Sequence, residues 1–189
     1  MNDRALRVLE FDKILKKLEE RTASDLGRPF AEDLKPVSDF NEVGARLRET
    51  TDAAAYLWRK GGAPFGGLHE IRGSLKRVEI GSVLSISELL KIGDVLRCGR
   101  NLRQFLTNDV PPDWEGNTAL ELGRQITAFR NVEDAISDAI VSEEEISDRA
   151  SPELYSIRRS IRQKQDSIKD RLSSFIHSAD YKKITIFHL

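Results

Sequence analysis

Four basic residues on one predicted helix are the candidates for ligand chemistry in this sequence. The helix begins at Ser151-Pro152-Glu153 and extends to about Ser178, and it carries Arg158, Arg159, Arg162 and Lys169. Guanidinium and ammonium groups repeated along a helix can contact the phosphates of a nucleic acid. Mixed charges beside a coiled-coil seam explain the same residues without a ligand, and no aromatic platform accompanies them. Both interpretations stay open, and we favour the coiled-coil one.

Residue types that perform catalysis are present, but their spacing predicts no catalytic, metal or cofactor site. The glycine-rich loop at 61–67 lacks the Lys-Ser or Lys-Thr that a Walker A loop needs after its last glycine. We interpret this loop as a structural turn from which Phe65 enters the core. A zinc helix beginning at His69-Glu70 would need a second histidine at position 73, which is a glycine. Cys98 lies within a predicted helix and is expected to be a packing residue.

An acidic run precedes the long helix. From Glu133 to Asp148 the sequence has seven acidic residues and no Lys or Arg. Clustered carboxylates can bind a divalent cation, but this spacing matches no calcium-binding loop. We therefore expect a solvated acidic face.

The composition indicates a well-solvated globular chain. Its 189 residues suffice for one domain with an appendage, 39% of them are hydrophobic, and 32% are charged. The formal net charge of −1 gives no global attraction to nucleic acid. The single cysteine, Cys98, excludes an intrachain disulfide and suits a reducing compartment. No signal peptide or long apolar run is visible, so we expect a cytoplasmic protein with no membrane contact.

The long helix carries an apolar stripe that needs a partner. Ser151 is a favourable N-cap, and Pro152 suits the first helical position. Apolar residues then recur every seven positions, at Leu154, Ile161, Ile168 and Phe175. At ~1.5 Å per residue the helix is a rod roughly 39 Å long, and no helix of similar length follows it. The stripe must pack on earlier helices, pair with a second copy, or belong to a larger protein, and we predict a homo-oligomer formed through it.

The remaining sequence predicts an all-α fold. Helical periodicity places a first helix over about 3–20 and a second over about 24–34. Capping pairs, Asp39 with Glu42 and Ser85 with Glu88, begin two longer helices. The stretch at 140–148 is compatible with one short β hairpin. We predict a helical core domain over 1–150, a long helix over 151–178 and an atypical tail over 179–189.

Four segments combine into a more specific pattern. They are LEFDKI at 9–14, PFGGLHEI at 64–71, LKRVEIGSVLS at 75–85 and ASPELYSIR at 150–158. Their order and spacing resemble the N-terminal region of the second bacterial branch of the MutS family, often called MutS-two. The resemblance covers roughly residues 3 to 183.

The resemblance implies a multi-helical MutS-like core that ends in one lever helix. It also implies that the intact family protein is a homodimeric ATPase that uses ATP and magnesium, often with an endonuclease domain. That protein is implied to bind branched or mismatched DNA or stalled ribosomes. This chain shows no Walker A loop, signature loop or nuclease domain, so we expect a structural and coupling role without bound ATP or catalysis. The alternative is a stand-alone helical module that self-associates.

One short motif superficially matches the mismatch wedge of the repair MutS branch. Phe30-Ala31-Glu32 has the Phe-x-Glu pattern. A wedge must project into the minor groove, whereas Phe30 follows Pro29 inside a predicted helix. We therefore expect Phe30 to be a core residue.

Overall fold

The computed structural model describes residues 3–177, and the predicted all-α class is confirmed. Within this range the chain forms nine α-helices, and its two strands make one antiparallel hairpin. The chain divides into two compact units, one up to Ser137 and one from Asp138 onward. Our predicted domain boundary at residue 150 stays a prediction, and the tail predicted over 179–189 lies outside the described residues.

Eight helices precede the hairpin. Their bounds are α1 Asp3–Val8, α2 Phe11–Glu19, α3 Arg28–Glu32, α4 Phe40–Lys60, α5 Arg72–Glu79, α6 Ile86–Thr107, α7 Thr118–Gln125 and α8 Arg130–Ala139. A short 3-10 turn, Pro112–Trp114, lies between α6 and α7. None of the helices within residues 3–177 is long and apolar enough to span a membrane.

The first two helices differ from the sequence prediction. The predicted single helix over 3–20 is wrong, because the chain turns between α1 and α2 at Glu10, whose φ of 50° lies in the left-handed region. Residues with a Cβ adopt that conformation rarely. The spacing of apolar residues does not report the backbone angles of a single residue, so it did not predict the break. The second predicted helix is also shorter than expected, since only Arg28–Glu32 is α-helical.

Local capping sets the ends of the two longest helices of the first unit. The Asp39 carboxylate accepts a hydrogen bond of 2.9 Å from the Glu42 amide at the start of α4. That helix ends at Gly61, whose φ of 83° favours glycine. At the start of α6, Ser85 and Glu88 form the predicted reciprocal capping box.

Tyr56 is the centre of the packing between α4 and α6. Its side chain is 1% exposed, and its hydroxyl donates a 2.7 Å hydrogen bond to the Leu106 carbonyl. The ring centroid lies 4.6 Å from that of Trp114 and 6.2 Å from that of Phe105. Because the phenol is both packed and hydrogen-bonded, it fixes the register of α4 along α6.

The second unit consists of the hairpin and the long helix. Strand β1 (Ile140–Ser142) pairs antiparallel with β2 (Glu145–Ile146), which confirms the predicted hairpin. A 3-10 turn, Asp148–Ala150, leads into α9, which covers Pro152–Ile176. The Ser151 hydroxyl caps α9 by accepting a 3.0 Å hydrogen bond from the Leu154 amide. At ~1.5 Å per residue, the 25 residues of α9 make a rod roughly 37 Å long.

Candidate functional surfaces of the long helix

The apolar stripe of α9 is exposed over most of its length. Leu154 is half-buried near the hairpin end. Ile161 is 49% exposed, Ile168 58% and Phe175 56%. Ile157 and Leu172, beside the stripe, are also about half exposed. The predicted stripe is therefore present as a helix surface, while the self-association predicted from it stays a prediction.

The basic residues of α9 fall into two groups. Arg158 donates hydrogen bonds of 2.8 Å to the Ile146 carbonyl and 2.6 Å to an Asp148 carboxylate oxygen. Arg162 donates a 3.0 Å hydrogen bond to the other oxygen of that carboxylate. Arg159, next to Arg158 in the sequence, and Lys169, two turns beyond Arg162, are exposed. Asp148 thus links two of the four predicted phosphate-binding residues, Arg158 and Arg162, to the 3-10 turn that precedes α9.

The charge of Asp148 is maintained by its two arginine neighbours. Hydrogen bonding from Arg158, and then from Arg162, lowers the pKa of the Asp148 carboxyl below its ordinary value. A phosphate that bound Arg158 or Arg162 would have to compete with this carboxylate. The arrangement therefore serves as a joint between the turn and the helix, and it reduces the positive charge that a nucleic acid meets.

The sequence features considered for catalysis have structural surroundings. Gly67 has a φ of 85°, and a Cβ there would lie 3.2 Å from Asp94 atoms, so glycine is required for the turn. Cys98 is buried, its thiol donates to the Pro64 carbonyl at 3.3 Å, and burial raises its pKa. Phe65 lines an apolar cavity of about 440 Å³ between α4, α6 and α7, yet it is still 37% exposed. The prediction that it enters the core is only partly met.

A metal site is not formed among the acidic residues of the described part of the chain. Within residues 3–177 no group of three or more His, Cys, Asp or Glu side chains is placed to hold an ion. The expected solvated acidic face is wrong for Glu133, which is 7% exposed. Sequence counting missed this burial because the partner that permits it, Arg100, lies 33 residues away.

Glu133 is the buried member of an ion pair on the inner side of α8. Arg100 donates two hydrogen bonds of 2.9 Å to its two carboxylate oxygens, and Arg97 approaches one of them at 3.5 Å. These contacts, led by the hydrogen bond from Arg100, lower the pKa of the Glu133 carboxyl. The pair joins α8 to α6, and we assign it a structural role.

Comparison with known proteins tests the family resemblance that the four segments suggested. No protein-family model matches the chain. The chain is 48% identical over 183 residues to "Endonuclease MutS2" of Acetivibrio thermocellus, which covers 97% of this chain and 23% of that protein. Relatives with the same name are 44% identical in Ruminiclostridium cellulolyticum, over 97% of this chain and 23% of theirs, and 42% identical in Clostridium perfringens, over 99% and 24%. The resemblance to the second bacterial MutS branch is confirmed.

The match to the MutS2 relatives is nearly complete for this chain but partial for the relatives. It covers nearly all of this chain, while the chain spans about 23% of the length of the curated MutS2 relatives it matches. The four segments that suggested the family all lie inside the all-α fold described above.

The fold also corrects the expectation for the wedge-like motif. Phe30 lies in α3, as predicted, but it is 80% exposed and is not a core residue. The prediction failed because a five-residue helix has too few neighbours to cover every large side chain.

Proposed function

We propose that this chain is a core and lever segment of a MutS2-like, nucleic-acid-processing protein, with a mechanical role and no catalysis of its own. The observation that carries the proposal is the asymmetry of α9. Its first turns are fixed by the Ser151 cap and by Arg158, whereas every residue from Arg159 to His177 is exposed. A rigid rod held at one end can transmit a displacement of its base to its far end.

The joint at the base of α9 supports this role. Arg158 and Arg162 lie one turn apart, and Asp148 accepts from both. The Arg158 contact with the Ile146 carbonyl adds a second attachment to the hairpin. Because these bonds come from successive turns, a rotation of the 3-10 turn must also rotate the helix.

The catalytic parts of such a protein would lie in the remainder of its length. The relatives carry the name endonuclease, and the family resemblance implies ATP and magnesium elsewhere in the protein. In our proposal α9 relays nucleotide state to a surface that grips branched or mismatched DNA or a stalled ribosome. The exposed apolar face of α9 is where a returning helix of the same protein packs.

A chimera tests the proposal in an intact protein. The matched segment of the Acetivibrio thermocellus relative is replaced by this chain, and Ile161→Asp with Ile168→Asp is introduced. We expect unchanged basal nucleotide hydrolysis but a loss of most of the effect of ATP on nucleic-acid binding, because charges in the packed face detach the lever. Hydrolysis rate and binding to a branched duplex, with and without ATP, are the measurements.

The matched control places the same charges elsewhere on the rod. Ser156→Asp with Gln163→Asp puts two aspartates, at the same seven-residue spacing, on the side of α9 away from the stripe, where both side chains are exposed. This variant should keep the coupling. The lever role would be refuted if ATP had the same effect on nucleic-acid binding in the unsubstituted chimera, the stripe variant and the control.

A second candidate function is that of a free-standing self-association module. The observation that favours it is the half-exposed pair Ile161 and Ile168, one heptad apart on the same face. Each such side chain is worth roughly 1.5–3 kcal/mol when fully buried. Sedimentation of the isolated chain tests this candidate, because a strictly monomeric mass at tens of micromolar would contradict it.

A further inference from the structure

We propose that the apolar cavity between α4, α6 and α7 is a binding site for a small, uncharged aromatic molecule. The cavity has a volume of about 440 Å³ and lies wholly within the first compact unit. Small-molecule sites in proteins are concave and mostly apolar, with volumes of about 300–1,000 Å³. The proposal does not depend on the lever function of α9.

The walls of the cavity come from three helices and from the loop that follows α4. Tyr56 of α4 is buried, and Leu102 and Leu106 of α6 are half-buried beside it. Leu57 of α4 and Leu122 of α7 are 50% and 56% exposed and form the rim. The cavity is therefore buried at its inner end and open at its rim, so a small molecule can enter it from solvent.

The chemistry of the walls excludes a charged occupant. None of the described residues that line the cavity carries a charge. The nearby Lys60 ammonium already binds the Phe105 and Asn108 carbonyls. The Leu106 carbonyl accepts the hydrogen bond of the Tyr56 hydroxyl, which is the one polar side-chain group in the walls. Because an ionised group buried without a partner is costly, the occupant must be uncharged.

Three aromatic rings among the walls favour an aromatic occupant. They belong to Tyr56, Phe65 and Phe105. The rings of Tyr56 and Phe105 have centroids 6.2 Å apart and planes inclined by 41°, so a flat molecule that stacks on one ring meets the other at an angle. Offset-stacked and inclined edge contacts are the arrangements that aromatic groups prefer. A flat aromatic molecule therefore gains contacts here that an aliphatic one of equal size does not.

The volume sets the size of the occupant. An apolar cavity of about 150 Å³ stays dry and binds benzene. The cavity between α4, α6 and α7 has about three times that volume, so it has room for two or three fused rings. Such a molecule would also replace the contacts that the wall side chains lack across the empty space. We therefore expect its binding to stabilise the packing of the three helices.

Naphthalene and naphthoate test the class of ligand. The two compounds share the same ring system, and only naphthoate carries a charge. Equilibrium dialysis against the full chain measures the affinity of each. We expect saturable binding of naphthalene and an affinity for naphthoate at least about tenfold lower, because its carboxylate has no partner in the walls. Equal affinities, or no saturable binding of naphthalene, would overturn the proposal.

Two neighbouring alanines of α4 locate the site. Ala53 lines the cavity, whereas Ala54 does not, and both are exposed. Ala53→Phe places a ring in the cavity and should lower the affinity for naphthalene at least about tenfold, because the ring occupies the space of the ligand. Ala54→Phe adds the same ring outside the cavity and should leave the affinity unchanged. Circular dichroism checks that both variants fold, and equal affinities in the two would overturn the proposal.

The chimera with the Acetivibrio thermocellus relative shows whether the cavity is free in a longer protein. Naphthalene should bind the chimera with the affinity measured for the isolated chain, and Ala53→Phe should remove that binding as well. In the isolated chain, naphthalene should also raise the midpoint of thermal unfolding, because it binds the folded state. Binding to the isolated chain but not to the chimera would mean that an apolar side chain of the longer protein fills the cavity. That result would overturn the proposal and leave the lever role untouched.

Discussion

The Arg100 guanidinium and the Glu133 carboxylate form a bidentate ion pair, in which both hydrogen bonds are 2.9 Å long. The sequence had predicted that Glu133 faces solvent. Glu133 is 7% exposed, whereas the Arg100 side chain is 24% exposed. The pair therefore has one buried member and one that water reaches. It ties α8 to α6 more specifically than apolar packing alone.

Replacing Glu133 with glutamine should lower stability. Glu133→Gln removes the charge of the pair but keeps the shape and one acceptor oxygen. We expect a loss of about 1 kcal/mol, because an exposed edge screens the pair and reduces the cost of breaking it. Urea denaturation gives the free energy of unfolding. The control is Asp134→Asn on the exposed face of α8, paired at 3.7 Å with Arg130, which should change stability by less than half as much.

The same carboxylate should make stability depend on acid. Because contacts led by the Arg100 hydrogen bond lower the pKa of Glu133 in the folded chain, the folded state binds a proton less readily than the unfolded state. The stabilisation is complete above the unfolded pKa of about 4.3 and is lost as the pH falls through the lower, folded-state pKa. The free energy of unfolding, measured from pH 6 to about pH 3, should therefore fall less steeply for Glu133→Gln than for the unsubstituted chain. Identical slopes would show that the pair contributes nothing to acid sensitivity.

Gly123 in α7 should be intolerant of a methyl group. A Cβ at this position would lie 2.5 Å from the Leu106 Cβ of α6, so Gly123→Ala forces the two helices apart. We expect a loss of about 1–3 kcal/mol despite the better helix propensity of alanine. Gly73→Ala in α5, where an added Cβ meets nothing within 4 Å, should instead stabilise the chain by up to about 1 kcal/mol. Thermal unfolding distinguishes the two, and a stabilising Gly123→Ala would contradict the packing described here.

The apolar stripe of α9 should make the isolated chain self-associate. At tens of micromolar the unsubstituted chain should exceed the mass of a monomer, because Ile161 and Ile168 are about half exposed on one face of the helix. Ile161→Asp with Ile168→Asp should reduce the mass to that of a monomer, because buried charges oppose the pairing of the stripe. Light scattering after size-exclusion chromatography measures each mass.

A control for the stripe variant is available on the same helix. Ser156→Asp with Gln163→Asp introduces two aspartates at the same seven-residue spacing, on exposed positions away from the stripe. This control should behave like the unsubstituted chain. A monomeric unsubstituted chain would contradict self-association through the stripe.

Removing Asp148 tests whether the basic residues of α9 bind phosphate. Asp148→Asn releases Arg158 and Arg162 from the carboxylate that both contact. If the helix binds nucleic acid, affinity should rise about threefold, and the dependence on salt should steepen by one to two counterions at most. Asp170→Asn removes the same charge from an exposed site on α9 and is the matched control.

The reverse variant completes that test. Arg158→Ala, Arg159→Ala and Arg162→Ala together should abolish the binding. Fluorescence anisotropy with a labelled branched duplex, repeated over a range of salt concentrations, provides both quantities. Equal affinities for Asp148→Asn and Asp170→Asn would assign the arginines to the helix joint alone.

The sequence by itself determined the features that depend on neighbouring residues. The cap at Ser151 with Pro152, the box at Ser85 and Glu88, and the end of α4 at Gly61 all follow from backbone groups within a few residues. Heptad spacing likewise identified the stripe of α9, and four ordered segments identified the MutS branch. These signals are local in the chain, so composition and spacing can show them.

Only the tertiary structure decided which charged and aromatic residues are covered. Glu133 is buried because Arg100, distant in sequence, neutralises it, and Phe30 is exposed because the packing that covers Ala31 in the same short helix does not reach it. The turn at Glu10 depends on a rare backbone conformation that apolar periodicity does not report. The exposed faces of Phe40 and Trp58 emerge in the same way, since a helix pattern shows that a face exists but not whether anything packs on it. Burial depends on contacts between distant segments, and for that reason the fold had to supply it.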